Sequence, residues 1–202
     1  IDNFAKLPAF SNPKISPDGK KIAATVIYQG RPLLITRNMD GSGGMSAIKV
    51  GSLYLHKYIW ANNERLIVSA RSSVDNWGGK WNIVRMAAVN ADGSDPIFLP
   101  MYKGIYGYIQ YAKVINRLPD EPEYVLAIVD REHEQWFSKV SKINIYTGEK
   151  ETFQRNHKEI QSWLTDHQGR LRLAMRYDYL SDGTSVRTVS YTHLTLPTSS
   201  RG

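Results

Sequence analysis

The chain has 202 residues, 42% of them hydrophobic and 22% charged, with a formal net charge of +7, which is typical of a globular protein. It contains no cysteine, and this excludes disulfides, thiolate metal sites and a cysteine nucleophile. No apolar run approaches the roughly 18 residues that a membrane-spanning helix needs, and the basic residues are too scattered to indicate a nucleic-acid-binding patch.

Short segments rich in β-forming residues follow one another along the chain. Runs of Val, Ile, Tyr and Thr bounded by Asp, Asn, Gly and Pro predict strands. In chain order these strands are expected at residues 21–28, 32–38, 65–71, 83–90, 124–130, 140–146 and 171–178. No long segment has the 3.6-residue period of a helix, and the best candidate, residues 2–7, is too short. We therefore predict an all-β fold.

Two kinds of turn alternate between these strands. The first kind precedes a strongly apolar strand and contains Asp18, Asn62, Asp120 and Asp166. The second kind closes the following strand and ends at Gly41, Gly93 and Gly148. Asp and Asn side chains bond their own backbone two residues on, and Gly accepts a positive φ without steric cost. A four-stranded antiparallel unit repeated every ~40–50 residues is the pattern of a β-propeller blade.

The sequence therefore predicts a partial β-propeller of about three to four four-stranded antiparallel blades. Three of these units are expected at residues 15–60, 61–115 and 118–165. Tight turns are expected at Asp18-Gly19, Asp40-Gly41 and Asp92-Gly93. The alternative is a generic antiparallel sandwich with irregular hairpins.

The beginning of the chain resembles the propeller domain of S9-type serine peptidases. These are the relatives of prolyl oligopeptidase, and they include dipeptidyl and acylaminoacyl peptidases. The resemblance rests on Phe4, Leu7 and Pro13 in the lead-in, on the turn and strand at 15–23, and on the turn at 38–41. In that family the propeller precedes an α/β-hydrolase domain, which carries a Ser, Asp and His triad and hydrolyses peptides.

The resemblance extends to about residue 188. It implies that the chain is the N-terminal propeller of a serine peptidase, a hydrolase, and gates peptide access to a hydrolase domain that is missing here. It favours a periplasmic or secreted location, with a cytoplasmic one as the alternative. A TolB-like or WD40-like propeller acting as a non-enzymatic protein-binding module is the alternative function. Neither function requires a nucleic-acid or membrane partner.

No catalytic residue can be assigned in the chain. The nucleophile of an α/β-hydrolase lies in a G-x-S-x-G turn, because a strained strand-to-helix turn exposes the serine oxygen. Gly183 and Ser185 have the right spacing, but Arg187 stands where the second glycine must be. We therefore expect this chain to be inactive by itself.

No metal or cofactor site is predicted either. Residues 130–136 gather acidic side chains around one histidine, whereas a metal-binding pair on one helical face needs two histidines. A solvated loop is the favoured interpretation of this segment. His56, His157 and His167 are far apart and show no ligand spacing.

A tryptophan-containing segment, residues 72–81, is predicted to interrupt the second blade between its first and second strands. Trp77 and Trp81 flank Gly78-Gly79, which indicates a hairpin-like turn. The two rings could pack on the blade. Alternatively they could project toward a neighbouring domain or the substrate entry, since loops on rigid scaffolds often carry recognition. Trp77 and Trp81 are therefore the candidate residues for a substrate-entry or interdomain loop.

The end of the chain departs from the rest of the sequence. Residues 189–198 resemble the translation of an adapter used in shotgun, for example metagenomic, library preparation. We therefore expect an incomplete N-terminal propeller domain at 1–188 and a non-native tail at 189–202. His193 is accordingly not a candidate base. The alternative is a natural edge strand with a threonine-rich tail.

Overall fold

The computed structural model describes residues 10–76, 79–100, 102–103, 109–110, 113–131, 138–155, 160, 162–179 and 185–191. Within these ranges every regular element is a β-strand, and no helix is long and apolar enough to cross a membrane. The all-β prediction is confirmed. The chain divides into two compact units, which are residues 1–111 with 145–148, and residues 112–144 with 149–202.

Two four-stranded sheets make up most of the first unit, and in each sheet antiparallel strands follow one another in chain order. The first sheet contains β1 (Ser11–Ile15), β2 (Lys21–Tyr28), β3 (Arg31–Asn38) and β4 (Ser46–Ile48). The second contains β5 (Tyr54–Trp60), β6 (Arg65–Asn76), β7 (Gly79–Asn90) and β8 (Ile97–Phe98). A short antiparallel pair follows, formed by β9 (Tyr102–Lys103) and β10 (Ile109–Gln110).

The second unit repeats the same topology. Its four-stranded sheet contains β11 (Lys113–Asn116), β12 (Tyr124–Arg131), β13 (Ser138–Asn144) and β14 (Lys150–Gln154). A further sheet contains the described strands β15 (Ser162–Thr165), β16 (Leu171–Tyr179) and β17 (Ser185–Tyr191). A four-stranded meander that recurs along the chain in this way is the strand order of propeller blades.

The predicted boundaries of the blades are wrong by one strand. The four-stranded sheets span residues 11–48, 54–98 and 113–154, and not 15–60, 61–115 and 118–165. The turns at Asp18 and Asn62 join the first and second strands of a sheet instead of separating two blades. The error arises because each turn precedes the longest and most apolar strand, so the pattern hides the short strand before it.

Apolar side chains of both sheets form one core in the first unit. Ala23, Leu34 and Ile48 of the first sheet pack with Tyr58, Trp60, Leu66, Val68 and Val89 of the second. The polar atoms of the two aromatic residues are satisfied, since the Tyr58 hydroxyl donates to the Asn12 carbonyl and Trp60 Nε1 donates to the Lys14 carbonyl at 2.9 Å. Burial of the rings therefore stabilises the unit without the cost of an unpaired polar group.

A separate core holds the second unit together. It comprises Leu118, Leu126, Val140, Ile160, Trp163, Leu171 and Ala174. Asn116 links its two sheets, because its Nδ2 donates to Thr165 Oγ1 at 3.0 Å and to the Asp166 carbonyl at 2.7 Å.

The three predicted tight turns are confirmed. The glycine N–H in each turn donates to the carbonyl three residues earlier, at 2.9 Å for Gly19, 3.2 Å for Gly41 and 2.9 Å for Gly93. The φ angles of these glycines are 76°, 78° and 90°. Only glycine adopts this left-handed region without strain, which is why Asp-Gly recurs at these turns.

The strand β17 runs three residues into the predicted non-native tail. Val189, Ser190 and Tyr191 pair with Met175, Ala174 and Leu173 of β16. Residues 192–202 lie outside the described part of the chain. The foreign origin of the tail therefore stays a prediction.

Candidate interaction surfaces at the ends of the sheets

The turns of each meander lie alternately at its two ends. In the first unit, the loops 16–20, 39–45, 61–64 and 91–96 share one end, which we call the Asx end. Hydrogen bonds connect the two sheets at this end: Asp18 N donates to Asn63 Oδ1 at 3.0 Å, and Thr36 Oγ1 donates to the Ala91 carbonyl. The loops 29–30 and 49–53 lie at the opposite end.

The Asx end is named for its side chains that fold back on their own backbone. Oδ1 accepts from the N–H two residues on at Asp18 (3.1 Å), Asp40 (2.8 Å), Asn62 (2.9 Å) and Asp92 (2.9 Å). The pKa values of Asp18, Asp40 and Asp92 are lowered. The main cause is a hydrogen bond from the hydroxyl of Ser16, Ser42 or Ser94, and the backbone hydrogen bonds are the second cause. These carboxylates are therefore stabilised as anions that order turns, and none has the raised pKa of a general acid.

A buried arginine lies behind this end of the second sheet. Arg65 is 2% exposed. One of its terminal nitrogens donates to Asn90 Oδ1 at 2.6 Å, and the other to the carbonyls of Ala88 at 3.1 Å and Asp95 at 2.8 Å. Its guanidinium lies 4.7 Å from the centre of the Tyr146 ring, which belongs to the same unit. An arginine held in this way anchors the loop 91–96.

The second unit has its own Asx turns. Asn116 Oδ1 accepts from Leu118 N at 2.7 Å, and Asp166 Oδ1 accepts from Gln168 N at 3.0 Å. Asp166 Oδ2 also accepts from Arg170 Nε at 2.9 Å and from Arg172 Nε at 2.8 Å. Partial burial raises the pKa of Asp166, but hydrogen bonds from the Arg170 backbone and from both arginine side chains outweigh this and lower the pKa to about 2. These hydrogen bonds to Asp166 stabilise the turn between β15 and β16.

The opposite end of the first unit has a different chemistry. Tyr28 pairs across the strands with Arg31, and Tyr54 pairs with Arg71. Arg31 joins the two pairs, because its guanidinium lies 5.4 Å from the centre of the Tyr54 ring. Tyr28 is 61% exposed and Tyr54 is 49% exposed. We call these four residues the tyrosine–arginine patch, and sequence reasoning missed it because its members are far apart in the chain.

The candidate tryptophans belong to the hairpin of β6 and β7. Trp77 lies outside the described residues, and Trp81 pairs with Val74 through the backbone. The segment 72–81 is not an inserted loop between the first two strands of a blade, because the second and third strands pair continuously to Asn76 and Gly79. The role of Trp77 and Trp81 in substrate entry or domain contact stays a prediction.

The described part of the fold assembles no candidate metal site. Among the described residues, no group of three or more His, Cys, Asp or Glu side chains could hold a metal ion. Of the acidic segment 130–136, Asp130 and Arg131 lie in β12, whereas its other residues and Gly183 lie outside the described residues. Ser185 and Arg187 lie in β17.

Comparisons with known proteins identify the class of the fold. No protein-family model matches the sequence, and no curated protein matches it. Solved structures do: an acylaminoacyl peptidase in complex with Z-Gly-Gly-Phe-chloromethyl ketone matches with a TM-score of 0.56 and 13% identity. The match covers 92% of this chain but only 31% of the peptidase. Together with the repeated antiparallel sheets, this likeness shows that the chain has the fold of a partial β-propeller.

Two other solved structures match with lower TM-scores. The β-propeller domain of the Trilobed protease from Pyrococcus furiosus matches with a TM-score of 0.49 and 12% identity, covering 93% of this chain and 57% of that one. TolB from Acinetobacter baumannii matches with a TM-score of 0.45 and 12% identity, covering 92% of this chain and 42% of that one.

Proposed function

We propose that this chain is the N-terminal propeller domain of a serine peptidase related to prolyl oligopeptidase, within the dipeptidyl and acylaminoacyl peptidase group. The observation that carries the proposal is the propeller fold, combined with the lead-in at Phe4, Leu7 and Pro13. The likeness to an acylaminoacyl peptidase supports it at the level of the fold. In such an enzyme the partner of this domain is an α/β-hydrolase domain, and the substrate is a peptide.

The proposed role of the propeller is to gate access. A serine hydrolase cleaves a peptide through an acyl-enzyme, which requires a serine, a histidine base, a third group that orients the base, and oxyanion donors. No serine of this sequence lies in the G-x-S-x-G pattern of such a nucleophile. The contribution of the propeller is to exclude folded proteins while admitting peptides, and Trp77 and Trp81 are the residues that we propose for the entry or for the contact with the hydrolase domain. A periplasmic or secreted location suits this role.

A non-enzymatic binding module is the second candidate. A TolB-like or WD40-like propeller acts only through its surfaces, and the exposed tyrosine–arginine patch is the observation that favours it here. Both candidates use the same scaffold, so the fold alone does not separate them.

The test is to recover the complete gene and translate it beyond residue 188. The peptidase proposal predicts more propeller blades, then a G-x-S-x-G motif, followed in order by an aspartate and a histidine. A stop codon directly after the last blade would contradict the peptidase proposal and support the binding module. The same translation tests the origin of the tail, since a native reading frame that keeps residues 189–198 would exclude an adapter.

A further inference from the structure

We propose that the tyrosine–arginine patch (Tyr28, Arg31, Tyr54 and Arg71) is a docking surface for an acidic protein segment. The inference does not depend on the peptidase proposal, because it uses no feature of a hydrolase. It rests on the arrangement, exposure and charge of residues in the first unit.

The four residues of the patch form a continuous row across two sheets. Tyr28 and Arg31 lie directly opposite each other on β2 and β3, and Tyr54 and Arg71 lie opposite each other on β5 and β6. Arg31 bridges the two pairs through the ring of Tyr54. Because paired strands hold all four backbones, binding costs little backbone entropy.

The sequence around the patch is mainly basic. Besides the two arginines, segments 26–33, 49–60 and 69–80 contain Lys49, Lys57 and Lys80 against one acidic residue, Asp75. The carboxylates at the Asx end of the same unit belong to Asp18, Asp40, Glu64, Asp92 and Asp95. An anionic partner is therefore attracted to the patch and kept from the Asx end.

The side chains favour a protein over a nucleic acid as the partner. Tyrosine and arginine are the residues that dominate binding energy at protein interfaces, and an arginine fork matches a carboxylate in a bidentate way. Single-stranded nucleic acids bind mainly by stacking bases on free aromatic faces. One face of the Tyr54 ring already carries the Arg31 guanidinium, so this ring is better suited to edge contacts and a hydroxyl hydrogen bond.

The experiment measures fluorescence anisotropy with the full chain and three labelled probes. The probes are a peptide of alternating Glu and Tyr, the same peptide with Gln in place of Glu, and an oligothymidylate. We expect the Glu-Tyr peptide to bind, and we expect the double substitution Arg31→Glu and Arg71→Glu to weaken binding by roughly tenfold or more. The substitution of both Tyr28 and Tyr54 by Ser should weaken binding while leaving its salt dependence in place.

The matched control reverses two exposed cations at the Asx end, Lys20→Glu and Arg37→Glu. It should change the affinity by less than roughly twofold, since exposed charges far from the contact contribute little. Circular dichroism of every variant confirms folding. The proposal is overturned if the Glu-Tyr peptide does not bind, if the Gln-Tyr peptide binds equally well, or if both double charge reversals act alike. Tighter, patch-dependent binding of the oligothymidylate would also overturn it.

Discussion

Arg65 shows how one residue holds a loop in place. Its three hydrogen bonds join β6, β7 and the loop 91–96. Replacing Arg65 by Met should lower the free energy of unfolding by about 2–4 kcal/mol, because the buried Ala88 carbonyl and the part-buried acceptors of Asn90 and Asp95 lose their donor. Urea unfolding measures this change. Arg37→Met, at an exposed position, is the control and should cost less than ~0.5 kcal/mol; equal losses in the two variants would contradict this role.

Asp166 makes the stability of the second unit depend on pH. Its pKa falls from 3.8 to about 2 on folding, so the folded state favours the anion and the unfolded state binds the proton more readily. The stabilisation is present above about pH 4 and is lost as the pH falls toward about 2. Asp166→Asn should therefore be less stable than the parent chain at pH 6, and the difference should shrink as the pH approaches 2. Urea unfolding at several pH values tests this, and a constant difference would contradict it.

At the scale of elements, turn chemistry determines where strands reverse. Gly19 and Gly169 occupy equivalent turns with φ of 76° and 81°. A Cβ at Gly19 would meet nothing within 4 Å, whereas a Cβ at Gly169 would overlap Leu118 Cδ2 in the core. We expect Gly19→Ala to cost about 1 kcal/mol from backbone strain alone, and Gly169→Ala to cost about 1–3 kcal/mol more. Equal losses in urea unfolding would show that Leu118 relaxes freely.

The strand β17 supplies a second test at this scale. Deleting residues 189–202 removes three backbone pairs with β16 and, if the segment is foreign to the fold, should leave the melting temperature within a few degrees of the original. A scanning calorimetry experiment on the deletion variant measures this. A fall of several degrees, which corresponds to more than ~1 kcal/mol, would show that the segment stabilises the sheet.

The sequence was sufficient to predict the long apolar strands and the Asp-Gly turns, but not the short strands or the grouping of strands into sheets. The Asp-Gly turns and the apolar strands after them are local patterns, and the structure confirms both. The strands β1 and β5 were missed because β1 contains Pro13 at a sheet edge and β5 contains His56 and Lys57, which weakens a hydrophobic pattern. The tyrosine–arginine patch could not be predicted, because only tertiary pairing brings its four residues together.

At the scale of the whole molecule, the propeller fold is compatible with both a gate and a binding module. The chain covers less than a third of the acylaminoacyl peptidase that it resembles in fold. Our proposal is that the hydrolytic groups belong to a hydrolase domain outside this chain.

The most direct test is a comparison of activity between this chain and its full-length parent protein, using aminoacyl and peptidyl chromogenic amides. We predict that the parent hydrolyses these amides, that a serine-directed phosphonate abolishes the activity, and that the 202-residue chain gives no turnover. Turnover by this chain at a rate comparable to that of the parent, abolished by the same phosphonate, would contradict the proposal.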